Sequence, residues 1–144
     1  MKEMLILVIL MLGFLAVIFL ATAPGNHIEP SESETCIRLN LSSNSEVYHS
    51  SEEMELTATI ETSSKAENLT IKVYGIKDSR GSYRIISERT INVEPPGSNE
   101  TFAFLMPSCY GCVGVSPGEY SIVLEILRGG EVLDNCSRKI KLEK

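Results

Sequence analysis

Four cysteines, two histidines and four Asn-x-Ser/Thr triplets are the residues of this chain whose type and spacing suggest chemistry. Cys109-Tyr110-Gly111-Cys112 is a C-x-x-C pair, the spacing of thiol–disulfide exchange sites. In such sites the first cysteine opens a helix, whose N-terminal dipole stabilises the attacking thiolate. Here Val113-Gly114-Val115-Ser116-Pro117-Gly118 follows, which does not start a helix, and no Lys or His stands within several residues. The pair therefore reads first as a structural staple, with exchange chemistry as the alternative and a zinc site third. A structural zinc site shows two close-spaced ligand pairs, and only one pair is close here. Neither His27 nor His49 has a Cys, His or Asp at ligand spacing, so no metal or other cofactor is expected.

Cys36 and Cys136 complete the set. An even cysteine count in an oxidising compartment reads as disulfides, and four cysteines permit three connectivities. The favoured one is Cys36–Cys136 with Cys109–Cys112, because Cys36 opens the first strand and Cys136 lies in the last. Such a bridge closes a loop of about a hundred residues, worth ~4–5 kcal/mol in the chain-entropy model. Cys36 is out of phase with Ile37, Leu39 and Leu41, so this pairing needs a bulge or a strand start.

The triplets are Asn40-Leu41-Ser42, Asn68-Leu69-Thr70, Asn99-Glu100-Thr101 and Asn135-Cys136-Ser137. With seven asparagines in the chain, chance gives about one such match, so Asn40, Asn68, Asn99 and Asn135 are candidate glycosylation sites. No catalytic residue emerges. There is no Gly-x-Ser-x-Gly elbow and no phosphate-binding glycine loop. Glu52-Glu53 are neighbours along a strand or turn, so they point apart and suit a solvated edge better than paired acid/base work. Without tryptophan, a platform for stacking sugar rings is thin.

The elements that carry these residues begin with the leader. Met4–Leu20 is seventeen residues without a charge, amide or hydroxyl, and with Ala21-Thr22-Ala23 it reaches roughly 30 Å as a helix. Lys2 and the free amine keep its start in the cytoplasm. Residues 1–23 are thus expected to be a transmembrane signal-anchor in the lipid bilayer, with the C-terminal domain outside the cytoplasm. Cleavage after Ala23 or Gly25 is the alternative and would make the protein secreted, although Pro24 fits poorly beside the first of these cuts. Residues 24–34, with Glu29, Glu32 and Glu34, read as an acidic juxtamembrane spacer. The net charge of −6 and pI near 5.0 argue against nucleic acid as a partner.

Residues 35–144 alternate apolar and polar with a period of two. Met54, Leu56, Ala58 and Ile60 form the clearest strand. Leu69–Val73, Phe102–Met106 and Tyr120–Ile126 follow, with weaker strands at 37–41, 85–93 and 132–142. Turns fall at Asp78-Ser79-Arg80-Gly81, Pro95-Pro96-Gly97, Ser116-Pro117-Gly118-Glu119 and Arg128-Gly129-Gly130-Glu131. About seven strands and no further helix predict an all-β chain, a single antiparallel sandwich. Val123 and Leu127 fall on the outer face, where they would cover an edge, touch the membrane-proximal segment or meet a partner.

Glu46–Ile60, with an aromatic and a short turn before a Thr-rich alternating strand, resembles the early strands of prokaryotic, especially archaeal, cell-surface immunoglobulin-like domains. Ser116–Leu124, a Pro-Gly turn followed by tyrosine, resembles their penultimate strand. The resemblance spans roughly 35–143 and implies an immunoglobulin-like fold and a cell-surface location. The buried tryptophan and cysteine spacing of antibody domains are absent from it. The leading expectation is a non-enzymatic membrane-anchored domain, structural, adhesive or an accessory subunit with a cell-envelope protein partner. The alternatives are a redox domain using Cys109 and Cys112, and a secreted inhibitor or ligand-binding module inserting a loop such as 109–118.

Overall fold

Period-two alternation fixes the inner faces. The computed structural model describes residues 36–109 and 114–144, which form eight strands: β1 (Ile37–Ser43), β2 (Val47–His49), β3 (Glu53–Thr62), β4 (Ala66–Lys77), β5 (Tyr83–Val93), β6 (Gly97–Leu105), β7 (Gly118–Arg128) and β8 (Glu131–Glu143). The expected membrane span at 1–23 and the spacer at 24–34 lie outside the described residues.

Two sheets result, a three-stranded one in the order β1-β3-β6 and a five-stranded one in the order β2-β8-β7-β4-β5. Met54, Leu56, Ala58 and Ile60 of β3 are fully buried between them, opposite Ile71, Val73, Leu124 and Ile126 from β4 and β7. Burying one apolar face of each sheet against the other accounts for the sandwich. Apart from β2 and β8, the pairs are antiparallel.

Local signals explain the connections. Gly129 (φ 59°) and Gly130 (φ 89°) occupy the two left-handed positions of a tight hairpin between β7 and β8. Between β4 and β5, the Asp78 carboxylate accepts the Arg80 and Ser82 N–H groups at 2.9 and 3.0 Å. Gly97 is required by proximity, because a Cβ there would sit 2.0 Å from the Ile60 carbonyl oxygen.

The eighth strand is β2. After β1 the chain turns at Asn44–Glu46 and pairs with β8 of the other sheet. Tyr48 anchors this hop. Its ring is fully buried, its hydroxyl donates to Asn44 Oδ1 at 2.6 Å, and it accepts the Ser45 N–H at 2.9 Å. Asn44 Oδ1 also accepts the Glu55 N–H at 3.0 Å, tying the hop to β3.

Candidate functional site

The cysteines do not assemble as one site. Cys36, Cys109 and Cys136 are unbridged thiols. The expected Cys36–Cys136 bridge is corrected by register. The Leu39 N–H donates to Asp134 Oδ2 at 2.9 Å, and farther along Val47 pairs with Lys141. β1 and β2 thus run alongside β8 in the same direction, offset by 95 positions at Leu39 and by 94 at Val47. Cys36 therefore lies level with the start of β8, and Cys136 stands about five residues, ~17 Å, farther along. A disulfide needs Cα atoms within ~7 Å. Burial, and next the Asp134 carboxylate, push the Cys136 thiol above its usual range.

Cys36 is exposed at the mouth of a cleft of about 560 Å³ at the end of the three-stranded sheet, shared with Arg38, Glu61, Pro96 and Ser98. Cys109 lies at the opposite end of the sandwich. Its N–H donates to Ser50 Oγ at 3.0 Å and its sulfur is 3.6 Å from the Glu143 carbonyl oxygen. The same end holds His49, 3.4 Å from Glu52 and 3.8 Å from Glu143. Lys141, 2.6 Å away, is the main cause holding the Glu143 carboxyl below the usual carboxylate range, with His49 a smaller one. Tyr120 is raised above the usual phenol range by burial, then by Cys109. Cys112, the other half of the C-x-x-C pair, lies outside the described residues. Among the described residues, no group of three or more His, Cys, Asp or Glu is placed to hold a metal ion.

The triplet asparagines are brought out and partly together. Asn40, Asn68, Asn99 and Asn135 are all exposed. Asn40 and Asn99 flank Thr59 in one cross-strand row on the outer face of the three-stranded sheet. Two strand spacings separate them, about 10 Å. The adjacent row is Ser42, Thr57 and Thr101, so the centre of this face is amide and hydroxyl without a charge. Asn68 sits in a left-handed conformation (φ 54°) at the irregular start of β4, where its N–H donates to Asn92 Oδ1 at 2.9 Å. Asn135 faces outward on the five-stranded sheet.

That second face differs in chemistry. Ile86, Tyr74, Val123 and Ser137 form one row, and Glu88, Lys72, Glu125 and Asn135 the next. Tyr74 meets Tyr83 edge-on with ring centres 5.0 Å apart, and Lys77 Nζ lies 4.8 Å above the Tyr83 ring. The Tyr74 hydroxyl donates to Glu125 Oε1 at 2.7 Å, and this bond, with burial second, pushes its pKa up to about 12. Half-buried Val123 sits beside Tyr74 in this cluster.

Two further residues escaped the sequence reading, Asp134 and Arg89. Arg89 Nη1 donates to the Thr101 carbonyl at 3.3 Å, and its guanidinium lies 4.5 Å from the Phe102 ring centre. Both residues occupy the inward phase of their strands, and a charge in that phase is the signal that could have found them.

No protein-family model matches the chain, and no curated protein matches it. Solved structures do share its fold. The crystal structure of the CARDB domain of the PF1109 protein from Pyrococcus furiosus, in complex with di-metal ions, superposes with a TM-score of 0.57 at 11% identity. The match covers 76% of this chain and 89% of that one. The solution structure of the same domain gives a TM-score of 0.52 at 13% identity, over 75% and 94% of the two chains. The alkylpurine DNA glycosylase AlkC from Pseudomonas fluorescens, bound to DNA containing an abasic site analog, gives 0.53 at 15% identity over 75% of this chain and 30% of its own. At such identities the likeness concerns the fold alone. The described residues form an immunoglobulin-like β-sandwich.

Proposed function

We propose that this chain is a non-enzymatic, membrane-anchored protein that displays one immunoglobulin-like sandwich outside the cytoplasm, as a structural, adhesive or accessory subunit of a cell-envelope complex. The observation that carries the reading is the uncharged run Met4–Leu20 joined by an acidic spacer to a β-sandwich. The exposure of all four triplet asparagines supports it, since sugar is added to residues a transferase can reach. The outer face of the five-stranded sheet is the other support, since its Tyr74–Tyr83 pair with Lys72, Lys77, Glu88 and Glu125 offers aromatic and charged groups for contact.

The test uses the full chain with a C-terminal tag. The tag is expected in the membrane fraction, resistant to alkaline extraction, and cleaved when protease is added to intact cells. Recovery of an envelope protein with the cross-linked chain would complete the case. A tag that is soluble in the cytosol overturns the proposal, and substrate turnover by the sandwich overturns its non-enzymatic part.

A further inference from the structure

β6 is the outermost strand of its sheet. At its two ends the Pro96 carbonyl accepts the Thr62 N–H at 3.1 Å, and the Met106 N–H donates to the Glu52 carbonyl at 2.8 Å. Even positions therefore face β3. By the two-residue repeat, Asn99, Thr101, Ala103 and Leu105 direct their N–H and C=O groups to the free side. The Arg89 bond to the Thr101 carbonyl agrees with that parity.

Such an edge is a template for another strand, and proteins blunt it with lysine, proline, bulges or inward charges. Between Gly97 and Leu105, β6 contains neither lysine nor proline, and its register with β3 runs without a shift. Its one charged residue, Glu100, pairs with buried Ala58 and so sits in the inward phase, and with Arg89 of β5 it is the only blunting device of that kind at this edge among the described residues. Arg89 reaches a single carbonyl. Leu105, at the end of the strand, is 69% exposed. Among the described residues, no strand pairs with the outward backbone groups of β6, and the Leu105 end of the strand has neither of these charges.

Asn99 stands on this edge as the first residue of Asn99-Glu100-Thr101, with Thr101 exposed on the same outer face. We propose that Asn99 carries an N-linked oligosaccharide and that this oligosaccharide closes the free edge of β6. The inference rests on the export proposed above. In the transfer, the Asn99 amide nitrogen bonds to the anomeric carbon of an oligosaccharide held on a lipid phosphate. The carbon–oxygen bond to that phosphate breaks, its electron pair leaves with the phosphate, and the amide gives one proton to a base of the transferase. Hydrated sugar on the outer face beside the unpaired backbone then excludes an incoming strand. Asn40, in the same row, is the internal control. Its strand β1 already has its outward side covered by β8 and by the Asp134 carboxylate.

The experiment makes the full chain in a glycosylating host, maps glycopeptides by mass, and measures self-association of the detergent-solubilised protein by light scattering. Asn99 is expected to be occupied. Asn99→Gln should self-associate at roughly tenfold lower concentration, Asn40→Gln should behave as the parent, and Asn99→Lys should restore the monomer by placing a charge on the edge. Enzymatic removal of the sugar should reproduce Asn99→Gln without a mutation. If Asn99 is bare while the C-terminal tag is outside the cell, this proposal falls and the export reading stands. An occupied Asn99 whose Gln variant stays monomeric also overturns it. A cytosolic, sugar-free chain overturns both readings.

Discussion

The sandwich has two lateral seams, and they are finished differently. At the first, β1 hops to the other sheet as β2, β8 runs beside both, and the Asp134 carboxylate takes up the Leu39 N–H. Backbone pairing itself crosses from sheet to sheet there. At the second seam, β5 and β6 are both outermost strands, and the bridge is a side chain, Arg89, over Phe102 and the Thr101 carbonyl. The lesson is that a seam closed by the main chain contributes stability, whereas one closed by a surface arginine chiefly controls what can approach it.

The largest break in that contrast comes from Tyr48. Tyr48→Ala removes the buried ring that holds the hop and should lower stability by about 4 kcal/mol in urea unfolding. Tyr48→Phe, which keeps the ring but strands the Ser45 N–H, should cost about 1–2 kcal/mol. On the open side the sensitive point is backbone proximity. Gly97→Ala drives a Cβ toward the Ile60 carbonyl and should cost about 3 kcal/mol, read as a lowered melting temperature.

The two charges sharpen the contrast directly. Asp134→Ala leaves the partly buried Leu39 N–H unpaired and should cost about 1–2 kcal/mol without changing the association state. Arg89→Ala should cost less, about 0.5–1 kcal/mol, yet increase self-association in sedimentation. Equal stability losses with equal association would erase the distinction.

The smallest effect is a pH dependence on the five-stranded face. Tyr74 has a folded pKa raised from 10.0 to about 12, because Glu125 accepts its proton-bearing hydroxyl and burial adds to this. A raised pKa favours the protonated folded state, so its contribution is full below pH 10 and is lost as pH rises toward 12. Phenolate absorbance should show Tyr74 ionising late in the native protein, and Glu125→Gln should bring that ionisation earlier.

Much of the fold was legible in the sequence. Met54–Ile60 alternates over enough residues to fix a strand and its buried face, and Gly129-Gly130 takes two consecutive left-handed positions without steric cost. β2 was not legible. Three residues are too few to show a period, and Tyr48 looks like any aromatic before a turn until its burial is known. The Cys36–Cys136 pairing failed for a related reason. The pairing assumed that the first and last strands run side by side, as they do in many sandwiches and as β1 and β8 do here, but register depends on where β2 meets β8. The site residues divide the same way. Triplets can be read as strings, while the row that sets Asn40 and Asn99 about Thr59 is a product of pairing between strands far apart in the chain.

The parallel run of β1 and β2 along β8 has a mechanical consequence. It leaves Cys36 and Lys144 at opposite ends of the domain, separated by roughly 40 Å, the length of β8. Tension applied between those ends would pull the β2–β8 hydrogen bonds sideways, so that they must rupture together and cannot peel one by one. Pulled from those ends, the three β2–β8 residue pairs would share the force in shear.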